Sequence, residues 1–109
     1  MSKIKTINKT LLLASLVILS AAVNAMSGFD LNKYCRDYGE GGITAGACFG
    51  YAAGVVHASN GKHCVPENAR NGDLGLVVFW YLRDHPTRLH RPASSLVLEA
   101  IRESYPCEG

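Results

Sequence analysis

Cys35, Cys48, Cys64 and Cys107 are the residues of this chain with the widest choice of chemistry. A cysteine can act as a nucleophile, ligate zinc or close a disulfide, and spacing and compartment decide among these. Zinc sites are built from close pairs such as C-x-x-C or H-x-x-x-H. Neither occurs: His63 adjoins Cys64, but His57 and His85 are distant in sequence. The C-x-x-C-H pattern of covalent haem attachment is also missing, so no metal or cofactor is expected. A catalytic cysteine needs a free thiolate beside a base, and an even set of four in an exported chain leaves none free. The four therefore read as two disulfides.

The remaining polar residues give no stronger catalytic signal. His57, His63, His85 and His90 fall in loops or near helix ends, where structural roles are commoner than general base chemistry. Glu40, Glu67, Asp73 and Glu99 form no paired-carboxylate pattern, and Ser94, Ser95 and Ser104 lack a nucleophile-elbow context. The expectation is a protein that acts by binding rather than by catalysis.

Export is read from the N-terminus. Lys3, Lys5 and Lys9 precede an apolar run from Leu11 to Leu19, and small residues lead to Val23-Asn24-Ala25. This is the order of a cleavable signal peptide, residues 1–25, and its apolar part is short of the about 20 residues that span a bilayer. Removing its three lysines turns the net charge from +2 to −1. No basic stripe remains to recruit nucleic acid or, after cleavage, a membrane. Residues 26–109 then form one domain, too small for its core to be stable with much margin unless covalently braced.

The elements that position these residues are helical. Leu31, Tyr34, Cys35 and Tyr38 recur on one helix face, with Ser27 and Asp30 at capping-box spacing and Gly39 at the end. After a turn at 39–42, a second helix over about 43–60 carries Gly46, Gly50 and Gly54 four residues apart. Each interior glycine costs roughly 0.8 to 1 kcal/mol relative to Ala. Close packing of another backbone on that face would offset the cost, within the monomer or across a dimer seam. Asn71 can cap a third helix with two apolar stripes. Leu74, Val77, Val78, Tyr81 and Leu82 form one; Leu76, Phe79, Trp80 and Arg83 form the other. Such a helix is either central or covers a partner, so Phe79 and Trp80 are candidates for the core or for an interface. His85-Pro86 ends it, Pro92 suits the first turn of a fourth helix bearing Leu96, Val97, Ala100 and Ile101, and Pro106 stops that one. No stretch alternates with period two. The fold expected is all-α, a four-helix domain with two disulfides after a cleaved signal peptide.

Geometry favours one pairing. In an antiparallel pair joined by the 39–42 turn, Cys35 near the end of the first helix faces Cys48 in the second turn of the next. Joining Cys48 to Cys64 is harder, because the helix carries the chain roughly 18 Å away before it can return. Cys35 with Cys48 and Cys64 with Cys107 is the expected connectivity.

Four segments, in order, carry a family resemblance: Cys48-Phe49-Gly50-Tyr51-Ala52-Ala53-Gly54-Val55-Val56, Cys64-Val65-Pro66, Tyr81-Leu82-Arg83-Asp84-His85-Pro86 and Tyr105-Pro106-Cys107. Together they resemble the type VI secretion amidase immunity proteins, the Tai/Rap family. The resemblance implies a small helical periplasmic protein, often a homodimer, that binds a peptidoglycan amidase effector and occludes its cleft. The loop from Asp84 to Arg91, held between two helices and two prolines, is rigid enough to insert at small entropic cost. Its Arg88, His90 and Arg91 are candidates to meet carboxylates of the amidase, with Leu89 filling a gap. The alternative is a periplasmic acid-stress chaperone, another type of small, helical, disulfide-bonded exported protein.

Overall fold

Ser27 and Asp30 start the first helix, α1 (Gly28–Arg36), through the reciprocal bonds of a capping box. The Ser27 N–H donates to Asp30 Oδ2 at 3.1 Å and the Asp30 N–H to Ser27 Oγ at 3.3 Å. In this computed structural model residues 26–37, 41–59 and 63–108 are described. The expected signal peptide (residues 1–25) lies outside them, as do Tyr38, Gly39 and Glu40 of the first turn and Asn60 and Gly61 after the second helix. Gly41 and Gly42 enter α2 (Gly42–Ala58) at φ 74° and 81°, a backbone region that side chains disfavour. Next come α3 (Asn71–Asp84), a 3-10 turn (Pro86–Arg88) and α4 (Ala93–Ser104). Two caps sit one residue from where the sequence suggested. Arg70 is the N-cap of α3, because its N–H donates to Asp73 Oδ2 at 3.2 Å, and Pro92 is the N-cap of α4 rather than part of its first turn.

Among the described residues the fold is all-α, four helices around one core. α3 packs against α1, α2 and α4. Its inner stripe, Leu74, Val78, Tyr81 and Leu82, is buried with Leu31 of α1 and Leu96 of α4. The outer stripe divides: Leu76 is 42% and Trp80 44% exposed, while Phe79 is half-buried and packs against the core. Both disulfides form with the expected connectivity. Cys35 and Cys48, fully buried with Cα atoms 4.9 Å apart, join α1 to α2. Cys64 and Cys107, both exposed with Cα atoms 5.1 Å apart, tie the segment after α2 to the tail beyond α4.

On the glycine row the described residues show no close packing within the chain, one of the two readings of its spacing. Among the described residues, a Cβ built on Gly50 or Gly54 meets nothing within 4 Å, and one on Gly46 meets the tip of Phe49 at 4.0 Å. α2 is packed through its opposite side, Ala45, Cys48, Ala52 and Val56, because Cys48 must face Cys35. That leaves the glycines outward. The glycine at a close approach is Gly28, where an added Cβ would lie 2.7 Å from the Leu89 carbonyl oxygen and 2.9 Å from its Cα.

Candidate functional site

The turn after α3 is assembled from both ends. His85 leaves the helix at φ −127° and ψ 59°, and Pro86 opens the 3-10 turn. The returning chain is then stitched to the start of α1. The Phe29 N–H donates to the Leu89 carbonyl at 3.0 Å, the Gly28 N–H to that of Arg91 at 2.9 Å, and the Ala93 N–H to that of Met26 at 3.0 Å. Ser27 and Pro92 form an isolated antiparallel bridge within this seam. A segment with few internal bonds of its own is thereby fixed to a capped helix.

Side chains complete the brace, with the Tyr81 hydroxyl as the hub. It donates to Glu99 Oε2 at 2.7 Å and accepts from Arg88 Nη1 at 2.7 Å, while Arg91 Nη1 donates to Glu99 Oε1 at 3.2 Å. One carboxylate on α4 thus holds a tyrosine of α3 and an arginine of the turn, and the tyrosine in turn holds the second arginine. Burial raises the Tyr81 pKa above its ordinary value, reinforced by donation to Glu99 and opposed by Arg88. The hydroxyl therefore stays protonated and keeps donating. The His85 ring stacks on Tyr81 with centroids 4.1 Å apart, and its Nδ1–H donates to the Tyr81 carbonyl at 2.8 Å. His90 caps the turn itself, its Nδ1–H donating to the Thr87 carbonyl at 3.1 Å.

These contacts redistribute the roles expected of residues 88–91. Leu89 is 7% exposed and belongs to the core, with its backbone close to Gly28. Arg88 is turned inward onto Tyr81 and half-buried, so its guanidinium is engaged within the chain. Arg91 is exposed yet already paired with Glu99. His90 and Thr87 are the exposed side chains at the tip. The sequence reading missed Tyr81 as a hub and Glu99 as its acceptor. Tyr81, His85 and Arg88 at i, i+4 and i+7 were the available signal, since that spacing returns side chains to one side of a helix and its continuation.

Beside the turn, Leu76, Trp80 and Arg83 follow one another on the outer face of α3. The Arg83 guanidinium lies 4.0 Å from the centre of the Trp80 ring, and Phe79 meets the same indole edge-on at 5.1 Å. A groove of about 180 Å³ runs between α3 and α4, lined by Trp80, Tyr81, Asp84, His85 and Glu103 among others. A second hollow of about 180 Å³ lies near His57, His63 and Glu67. There His63 is held by two bonds, Nε2–H to the Val56 carbonyl at 2.9 Å and Nδ1 from the Val65 N–H at 3.3 Å. Among the described residues no group of three His, Cys, Asp or Glu side chains is placed to hold a metal ion. No helix among them is long and apolar enough to cross a membrane.

No curated protein and no solved structure matches the chain. Residues 27–107 match the family described as Rap1a immunity proteins, from the capping serine of α1 to the cysteine that closes the second disulfide. That span takes in all four helices and the braced turn, and the chain belongs to the Rap1a immunity protein family.

Proposed function

We propose that this protein acts in the periplasm, binding a peptidoglycan amidase delivered by a type VI secretion system and blocking its cleft. Family membership over residues 27–107 carries the reading. The N-terminal lysines, apolar run and small-residue site support export to the compartment where peptidoglycan lies. The turn at 85–91 is the inhibitory element. Because Tyr81, Glu99 and the α1 seam already hold it, docking needs little further ordering. Thr87 and His90 make the contacts at its tip, with the outward edge of Arg91, while Arg88 keeps the turn in shape. The chain works by occlusion and has no catalytic role of its own.

A second copy covers the outer face of α2. Gly50 and Gly54 lie open there beside Ile43, 93% exposed, and Phe49, 36% exposed, and no Asp, Glu, Lys or Arg occurs in the helix. An acid-released chaperone would instead need buried titratable groups to unlatch its core. Among the described residues no charged side chain is buried.

Co-expression in the periplasm with candidate type VI amidases, any encoded beside it included, is the direct test. Survival of the cells, a stoichiometric complex on size exclusion and loss of peptidoglycan hydrolysis are the expected results. Failure to rescue cells from any periplasmic type VI amidase would falsify the reading.

A further inference from the structure

The geometry points to the groove between α3 and α4 as a receptor for one arginine side chain of a partner protein. Its lining includes three aromatic rings, Trp80, Tyr81 and His85, and two carboxylates, Asp84 and Glu103, beside the small or apolar Val77, Ala100 and Ser104. Its volume of about 180 Å³ suits a single side chain rather than a helix. Aromatic faces attract cations through their quadrupole, and carboxylates pair with a guanidinium fork. Both features together favour a cation over an apolar group. They favour arginine over lysine, because a planar guanidinium stacks as well as hydrogen-bonds.

Arg83 supplies an internal precedent. Its guanidinium already stacks on the Trp80 ring at 4.0 Å and bonds to Asp84 Oδ1 at 3.4 Å, yet Arg83 is not among the residues lining the groove. The same indole and carboxylate thus already hold one guanidinium, and both also line the groove. Trp80 is also prepared for binding. Phe79 and Arg83 fix its ring while 44% of the residue stays exposed, so little side-chain freedom remains to be lost. Tryptophan and arginine are the residue types over-represented where interface energy concentrates.

The inference goes beyond the immunity reading and does not depend on it, so its test uses no effector. Trp80 is the one tryptophan of the chain, which gives a single indole N–H resonance to follow. The protein is titrated with N-acetyl-arginine methylamide, with N-acetyl-norleucine methylamide as the uncharged control. The arginine probe is expected to shift the indole resonance saturably in the millimolar range, with the norleucine probe weaker. The double variant Asp84→Asn/Glu103→Gln, altered only at exposed positions, is expected to weaken binding about fivefold, as loss of two exposed ion pairs would. An equal response to norleucine, no saturable shift with arginine, or undiminished binding by the double variant overturns the assignment.

Discussion

Replacing Gly50 and Gly54 together by alanine tests whether the outer face of α2 is open in the monomer. Both positions are interior to the helix, and among the described residues an added methyl group meets nothing within 4 Å at either. Each substitution then acts mainly by reducing the backbone freedom of the unfolded chain, worth about 0.8 to 1 kcal/mol per site in favour of folding. The pair should stabilise the monomer by about 1.6 to 2 kcal/mol. For a domain of this size each kcal/mol moves Tm by about 4 to 8 °C, so a rise of roughly 6 to 16 °C is expected. Thermal unfolding followed by circular dichroism at micromolar protein or below measures this without interference from self-association. The concentration series adds a second readout: two methyl groups on a seam of close backbone approach should weaken the proposed dimer. A lower Tm at high dilution would refute the reasoning, since it would require another part of the same chain to occupy the glycine face.

Three further substitutions probe the brace and the cap. Gly28→Ala places a methyl group against the backbone of Leu89, which cannot swing aside, and should cost about 1 to 3 kcal/mol by denaturant unfolding. An unchanged stability would mean that the α1 seam is looser than described. Tyr81→Phe removes the hydroxyl shared by Arg88 and Glu99 and should lower stability by about 1 to 3 kcal/mol. Hydrogen exchange at 86–91 should rise more than in α2, and uniform protection across both would count against the hub. Asp30→Asn addresses pH: the Ser27 backbone and side-chain bonds lower the Asp30 pKa from its ordinary 3.8. The bond to the ionised form therefore stabilises the fold in full above the unfolded value and is lost as pH falls through the lower folded value. The variant should lose less stability than the parent between pH 6 and acid below that point, and an equal loss in urea titrations would exclude the contribution.

The helices were legible because their signals are local. The Ser27–Asp30 cap, the apolar spacing of α3 and α4 and the stop at His85-Pro86 all act within a few residues. Helix reach was enough to favour Cys35 with Cys48, which the structure contains. What the spacing left open was where the packing on the glycine row would come from, within the chain or from a second copy. A row at i, i+4 and i+8 shows only that one face of α2 is bare; it carries no information on which side the core lies. That side was set by Cys48, through the disulfide to Cys35, and it turned Gly50 and Gly54 outward. Gly28 gave the opposite case. It stands alone at the start of α1 with no pattern to mark it, and its need for space arises from Leu89, far along the chain. The turn followed the same logic. Arg88, Leu89 and Arg91 looked available in sequence because their partners, Tyr81, the core and Glu99, are brought to them only by the packing of α3 on α4.

That packing also explains why the turn can be both short of regular structure and rigid. Neither disulfide touches it: Cys35–Cys48 joins α1 to α2, and Cys64–Cys107 ties the other connection to the tail. The covalent bonds therefore secure the scaffold, and the 85–91 segment is held by polar contacts and by the buried Leu89. The Tyr81 oxygen accepts from Arg88 while its one proton goes to Glu99, the carboxylate that orients the hydroxyl. Glu99 in turn is held in place by Arg91, whose backbone carbonyl accepts from Gly28. The close approach of Gly28 to Leu89 closes this circuit, linking the N-cap of α1 to the hub on α3 and α4. Shape at the tip is thus set by residues away from it. Variation at Thr87 and His90 can alter what the turn recognises while leaving the brace intact, whereas variation at Gly28, Tyr81 or Glu99 alters whether there is a defined turn at all.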